Sequence, residues 1–233
     1  MATRKCFELL DCPKFAFPNL TNIDVPATAA NIIERLQGRG FLNYGQIWPR
    51  MGDITAGLVN DDYLARHLSK YPVEWKNATL QAVARLLAQQ FGGKGRWYKA
   101  GQLPFEVLPG AYFKPSIRGT WYFEKQAYSV CINARKHQRV FPEHARFLAR
   151  GVYEFHSIDD PNSPRPMIVD LSASDDAKRR IRIFLLGPEE MMPLEQFESV
   201  LRRFFEALAL AGVTTIPEGV PSIADLFRKR RFD

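Results

Sequence analysis

The chain has 233 residues, 46% of them hydrophobic and 12% aromatic, with 32 Lys and Arg against 25 Asp and Glu for a net charge of +7. That much apolar material buries a core and excludes a disordered tail, and no run of about 18 apolar residues is present to span a membrane. The start, MATRKCFELLDCPKF, lacks the apolar run and cleavage site of a signal peptide, and Cys6, Cys12 and Cys131 read as reduced thiols, so a cytoplasmic location is expected.

In chain order, residues 1–26 carry Pro13, Pro18 and Pro26 and few periodic apolar positions, which predicts an extended segment. ATAANIIERLQGRG places Ala30, Ile32, Ile33 and Leu36 at helical spacing before Gly38 and Gly40. NYGQIWPRMGDITAG reads as a loop or short strand. NDDYLARHLSKY predicts a helix capped by Asn60, with Asp61 and Asp62 at the end the helix dipole favours for acids. NATLQAVARLLAQQFGG predicts a helix from Asn77 to Gly92 or Gly93, with Leu80, Val83, Leu86 and Leu87 on one face.

The period then changes to two. PFEVLPGAYF, GTWYFEKQAYSVCINAR, PMIVDLSA and RRIRIFLLG are aromatic and β-branched and are broken by Pro and Gly, which predicts strands. FPEHARFLARGVYEF is a helix between the second and third of them. PLEQFESVLRRFFEALALAG is the clearest helix of the chain, and Gly212 supplies its stop. The expected class is α+β: a helical part over residues 1–93, then residues 94–233 as a mainly antiparallel sheet with helices on one face in β-α-β-β-α order. That order resembles ferredoxin-like RNA-binding modules in fold alone; their aromatic signature is missing, and no motif names a family.

The charge is uneven. Residues 94–150 hold eleven Lys and Arg but three Asp and Glu, a net +8, while residues 1–93 carry +2 and residues 151–233 carry −3. Eleven aromatics interleave with those cations, Trp97, Tyr98, Trp121 and Tyr122 among them. Cations neutralise phosphates and exposed rings stack on unpaired bases, so the segment predicts a nucleic-acid surface, for RNA or DNA, built from Lys94, Arg96, Trp97, Lys99, Lys114, Arg118, Arg135, Lys136 and Arg139. Arg179 and Arg180, from the run KRRIR, are added to it, and a basic run RKRR closes the tail.

GGKGRWYKAG, residues 92–101, has the glycines of a phosphate loop but follows a helix and lacks the Ser or Thr, so it reads as a hinge into the basic aromatic surface. The helices at about 61–70 and 77–91 have helix-turn-helix lengths, but the second carries one cation, Arg85, and a packed pair is the expectation. Asp170 with Glu154 or Asp160 would suit a metal-dependent nuclease, since phosphodiester cleavage needs carboxylates around a metal. A third reading docks the basic segment on an acidic protein. The leading expectation is a non-catalytic nucleic-acid-binding subunit of a larger nucleoprotein assembly, with other protein subunits as partners, no cofactor, no metal and no membrane.

Overall fold

The structure, a computed structural model, describes residues 5–16, 20–37, 44–100, 105–108, 111–135, 138–156, 163–173 and 178–215. The elements run β1 (Lys5–Glu8), α1 (Asp11–Phe15), α2 (Val25–Gln37), two short 3-10 turns, α3 (Met51–Thr55), α4 (Asp61–His67), α5 (Glu74–Phe91), β2 (Arg96–Lys99), β3 (Phe105–Leu108), β4 (Ala111–Lys114), β5 (Ile117–Phe123), β6 (Gln126–Asn133), α6 (Pro142–His156), β7 (Arg165–Asp170), β8 (Arg182–Leu185) and α7 (Leu194–Leu210). The fold is α+β. None of the described helices is long and apolar enough to cross a membrane.

The main sheet has the order β2-β5-β6-β7-β8. Its pairings are antiparallel except β6–β7, which is parallel and is joined through α6. β6 and β7 are buried on both faces and read accordingly as nearly continuous apolar runs, VCI and MIV. A smaller sheet has the order β1-β4-β3, with β1 parallel to β4.

Alternating residues of the main sheet feed two cores. Cys131 and Ile168 point to one, shared with α6, α7, α1 and α2, where Phe204 meets Phe7 and Phe15 with ring centroids 6.3 and 6.4 Å apart. Val130, Ile132, Met167 and Val169 point to the other, shared with α3, α4 and α5, where Phe91 stands edge-on to Trp121 at 4.9 Å. The expected placing of helices on one face is therefore corrected: helices cover both, because both alternating sets are apolar. The boundary expected near residues 92–95 coincides with the passage from α5 to β2, and each core draws residues from before and after it.

The N-terminal segment expected to be extended forms β1 and α1, because Phe7, Leu9, Cys12 and Phe15 find cover on elements far along the chain. NYGQIWPRMGDITAG, expected as a loop or strand, makes the 3-10 turns and α3, burying Ile47, Met51 and Ile54. Asn60 caps α4 as expected, accepting from Tyr63 N at 2.8 Å. α5 begins three residues before Asn77, whose amide instead holds the Tyr71 backbone through Oδ1 and Nδ2 at 3.0 and 2.8 Å. The first predicted strand splits into β3 and β4, and the second into the β5–β6 hairpin, closed by Glu124 and Lys125 at φ 48° and 65°. The tail RKRR lies outside the described residues.

Candidate nucleic-acid interface

The glycine-rich stretch is a turn, and its geometry explains its composition. α5 ends at Phe91, and the chain reverses so that β2 lies against β5. Gly95 sits at φ +71°, and a Cβ there would lie 2.2 Å from the Tyr122 carbonyl oxygen and 2.9 Å from Trp121 Nε1. Trp121 Nε1–H donates to the Lys94 carbonyl at 2.9 Å and fixes the turn. The glycines serve this close approach of two backbones.

Register then sorts the side chains. Arg96 is opposite Tyr122 and Tyr98 opposite Thr120 on one face; Trp97 is opposite Trp121 and Lys99 opposite Gly119 on the other. Trp97 is half-buried and packs into the second core, over the space that a Cβ at Gly119 would fill, 2.3 Å from its ring. Tyr98 and Tyr122 stay 55% and 44% exposed. They are diagonal neighbours across an antiparallel pair, roughly 7–8 Å apart, and Arg96 is exposed beside them. Lys94 and Lys99 are exposed on the same turn and strand, with Lys94 Nζ donating to the Gln90 carbonyl at 3.1 Å. β2 is an edge strand, so one face of this corner presents the two phenol rings with Arg96, while Lys94 stands on the turn before it and Lys99 on the opposite face.

The remaining predicted residues separate into different environments. Arg118 donates through Nη1 and Nη2 to the two Glu8 oxygens at 3.2 and 2.7 Å and lies 5.1 Å from the centre of the Trp48 ring. Arg135 pairs with Asp11 at 2.8 Å and donates to the Leu10 carbonyl at 3.2 Å. Arg179 donates through Nη1 to the Ala134 and Leu171 carbonyls at 2.8 and 2.6 Å, and through Nη2 to Tyr44 Oη at 2.9 Å. These three guanidiniums hold elements together. Lys114 is half-buried at the end of β4, and Lys136 lies outside the described residues. Arg139 and Arg180 are exposed at the opposite end of the main sheet, where they line a cavity of about 690 Å³.

That cavity opens at the C-terminal ends of the parallel strands β6 and β7. Lys14, Lys178 and Arg182 line it with Arg139 and Arg180, and no Asp or Glu is among the described residues that do. Asp170 lies just beneath, fully buried. It accepts from Asn133 Nδ2, Val140 N and Ser172 N, each at 3.0 Å, and from Arg182 Nη2. Burial pushes its carboxyl above the ordinary value, opposed by the hydrogen bonds of Ser172, Val140 and Asn133. Burial likewise pushes the His144 imidazole below its ordinary value, opposed by Glu143, by a hydrogen bond to the Arg139 backbone and by Asp170. Lys14 is pushed down to about 8 by burial and by the neighbouring Arg35 and Arg135 charges.

Of the nuclease carboxylates, Asp170 and Glu154 are not brought together. Both Asp170 oxygens are taken by protein donors, and Glu154 pairs with Arg150 at 3.2 Å near the far end of α6, about 18 Å along the helix from Pro142. Asp160 lies outside the described residues. Lys14, Lys178, Arg182 and His144 could not be read as a group from the sequence, because three separate stretches of chain supply them. No protein-family model matches the chain, and no curated protein matches it.

Proposed function

We propose that the protein binds RNA or DNA without cutting it, as a subunit of a larger nucleoprotein assembly. The observation that carries this reading is the exposed pair Tyr98 and Tyr122 beside Arg96 on the edge of the main sheet. Rings held side by side on a rigid sheet offer stacking faces for successive unpaired bases at roughly 1–3 kcal/mol per base. Arg96, on their face, and Lys94, on the turn before β2, supply phosphate contacts beside them. The favoured ligand is single-stranded, since only unpaired bases offer a free face to both rings. The unpaired thiols of Cys6, Cys12 and Cys131 support a reducing, cytoplasmic setting.

Binding of the full chain to labelled single- and double-stranded RNA and DNA, followed across a salt series, tests the proposal. Single strands bind, affinity falls steeply with salt, and the nucleic acid is recovered intact. Tyr98→Ala with Tyr122→Ala weakens single-strand binding at least tenfold. Arg96→Glu with Lys94→Glu lowers the slope of log K against log salt on single strands by about 1.4. Binding that ignores both double variants refutes the interface, and absence of binding at low salt, with a nuclease-resistant protein partner in pull-downs, replaces nucleic acid by an acidic protein.

A further inference from the structure

The cavity is a second place, distinct from the tyrosine corner. β6 starts beside Tyr122, which pairs with Ala127, and ends at Asn133 in the cavity wall, about 20 Å away at roughly 3.3 Å per residue. We propose that this cavity binds a nucleoside monophosphate, a phosphomonoester of a sugar that carries an aromatic base. The inference does not depend on nucleic-acid binding at β2 and β5.

Its size is that of a small-molecule site. Among the described residues that line it, the charge is one-sided. Arg182 is committed to Asp170, and no ion pair among the described residues uses Arg139 or Arg180. They leave positive charge where three strands and two helices converge. Burial first, and then the Arg35 and Arg135 charges, lower the proton affinity of Lys14 at the cavity wall, and a bound dianion opposes that shift. The first turn of α6 also opens here, through Phe141 and His144, and adds the positive end of a 15-residue helix.

The cavity is built for more than an oxyanion. Leu10, Pro13, Leu148 and Ile181 give it an apolar wall. The Phe141 ring is 39% exposed with the Arg139 guanidinium 5.7 Å from its centre, so a flat base can stack on it while its phosphate reaches the same arginine. Gln138 lines the cavity as well, and its Oε1 is buried without a hydrogen-bond partner among the described residues. An acceptor in that state is costly until a donor arrives, and the amino or imino groups of a base are such donors.

Calorimetric titration of the full chain with AMP, GMP, CMP and UMP, and with adenosine and inorganic phosphate as controls, tests the proposal. At least one nucleotide binds ten times more tightly than either control. Arg139→Ala with Arg180→Ala, two exposed positions whose loss leaves the fold intact by thermal melting, weakens that nucleotide at least tenfold. Tyr98→Ala with Tyr122→Ala leaves it unchanged while nucleic-acid binding falls, which separates this site from the other. No binding of any nucleotide at millimolar concentration overturns the proposal. So does inorganic phosphate binding as tightly as the nucleotides, which reduces the cavity to an oxyanion site, and so does nucleotide binding lost in the tyrosine variant alone.

Discussion

Arg179→Ala separates a cation that holds the fold from one that meets a ligand. The side chain sends three charged hydrogen bonds to Ala134, Leu171 and Tyr44, tying the ends of β6 and β7 to the 3-10 turn at residue 44. A hydrogen bond from a charged donor contributes about 1.5–3 kcal/mol net. The three share one side chain and do not add, and water reaches the half-exposed site, which reduces the loss. Against that, the carbonyls belong to residues 3% and 0% exposed and lose their donor. The balance is a destabilisation of about 2–4 kcal/mol. For a chain of this size it lowers Tm by roughly 5–15 °C. Thermal and urea unfolding measure it. Arg179→Lys recovers less than half, because an ammonium cannot reach three acceptors in a fork. The adjacent Arg180→Ala, at an exposed residue, stays within about 0.5 kcal/mol of the parent. A melting temperature unchanged by Arg179→Ala, with weakened nucleic-acid binding, would show Arg179 to be a ligand contact and refute the reasoning.

The β5–β6 hairpin is closed by two non-glycine residues at positive φ, so Glu124→Asn with Lys125→Gly relieves strain and raises stability by about 1–2 kcal/mol in urea unfolding. The His144 proton affinity is lowered in the folded state, so its share of stability is whole above the ordinary imidazole pKa near 6.5 and is lost as pH falls below it. Unfolding free energy accordingly drops between pH 7 and 5, and His144→Phe makes that drop shallower; an equal slope in both proteins counts against it. A thiol reagent at mildly alkaline pH labels Cys6 in the native protein, while Cys12 and Cys131, buried and with Cys131 pushed up to about 12, react only after unfolding, as mass spectrometry of peptides reads out.

Local signals in the sequence were legible where one element carried them alone. The period of α7, the Asn60 cap and the strand character after residue 95 needed no partner to be read. What escaped depended on contacts across the chain. β1 has an unremarkable composition and becomes a strand by lying beside β4. The count of cations in residues 94–150 included Arg118 and Arg135, whose partners Glu8 and Asp11 are more than a hundred positions earlier, so part of the apparent surface charge is internal. Tyr98 and Tyr122 were visible as aromatics, but only the pairing register distinguishes them from Trp97 and Trp121, which face the core. The cavity was invisible because its cations come from α1, the loop after β6 and the approach to β8.

The long reach of the first forty residues has a consequence for how the chain is made. Leu10 N–H is held by Ser116, the Leu10 carbonyl by Arg135, and the Ile23 carbonyl by Arg203, at sequence separations of 106, 125 and 180. This segment is thus made long before the elements that house it. At 5–20 residues per second it waits roughly 10–40 s for α7 to emerge, with Phe7, Leu9, Phe15 and Leu20 uncovered throughout. A topology so rich in distant pairings folds slowly, and this early-made apolar stretch is where a chaperone would bind the chain.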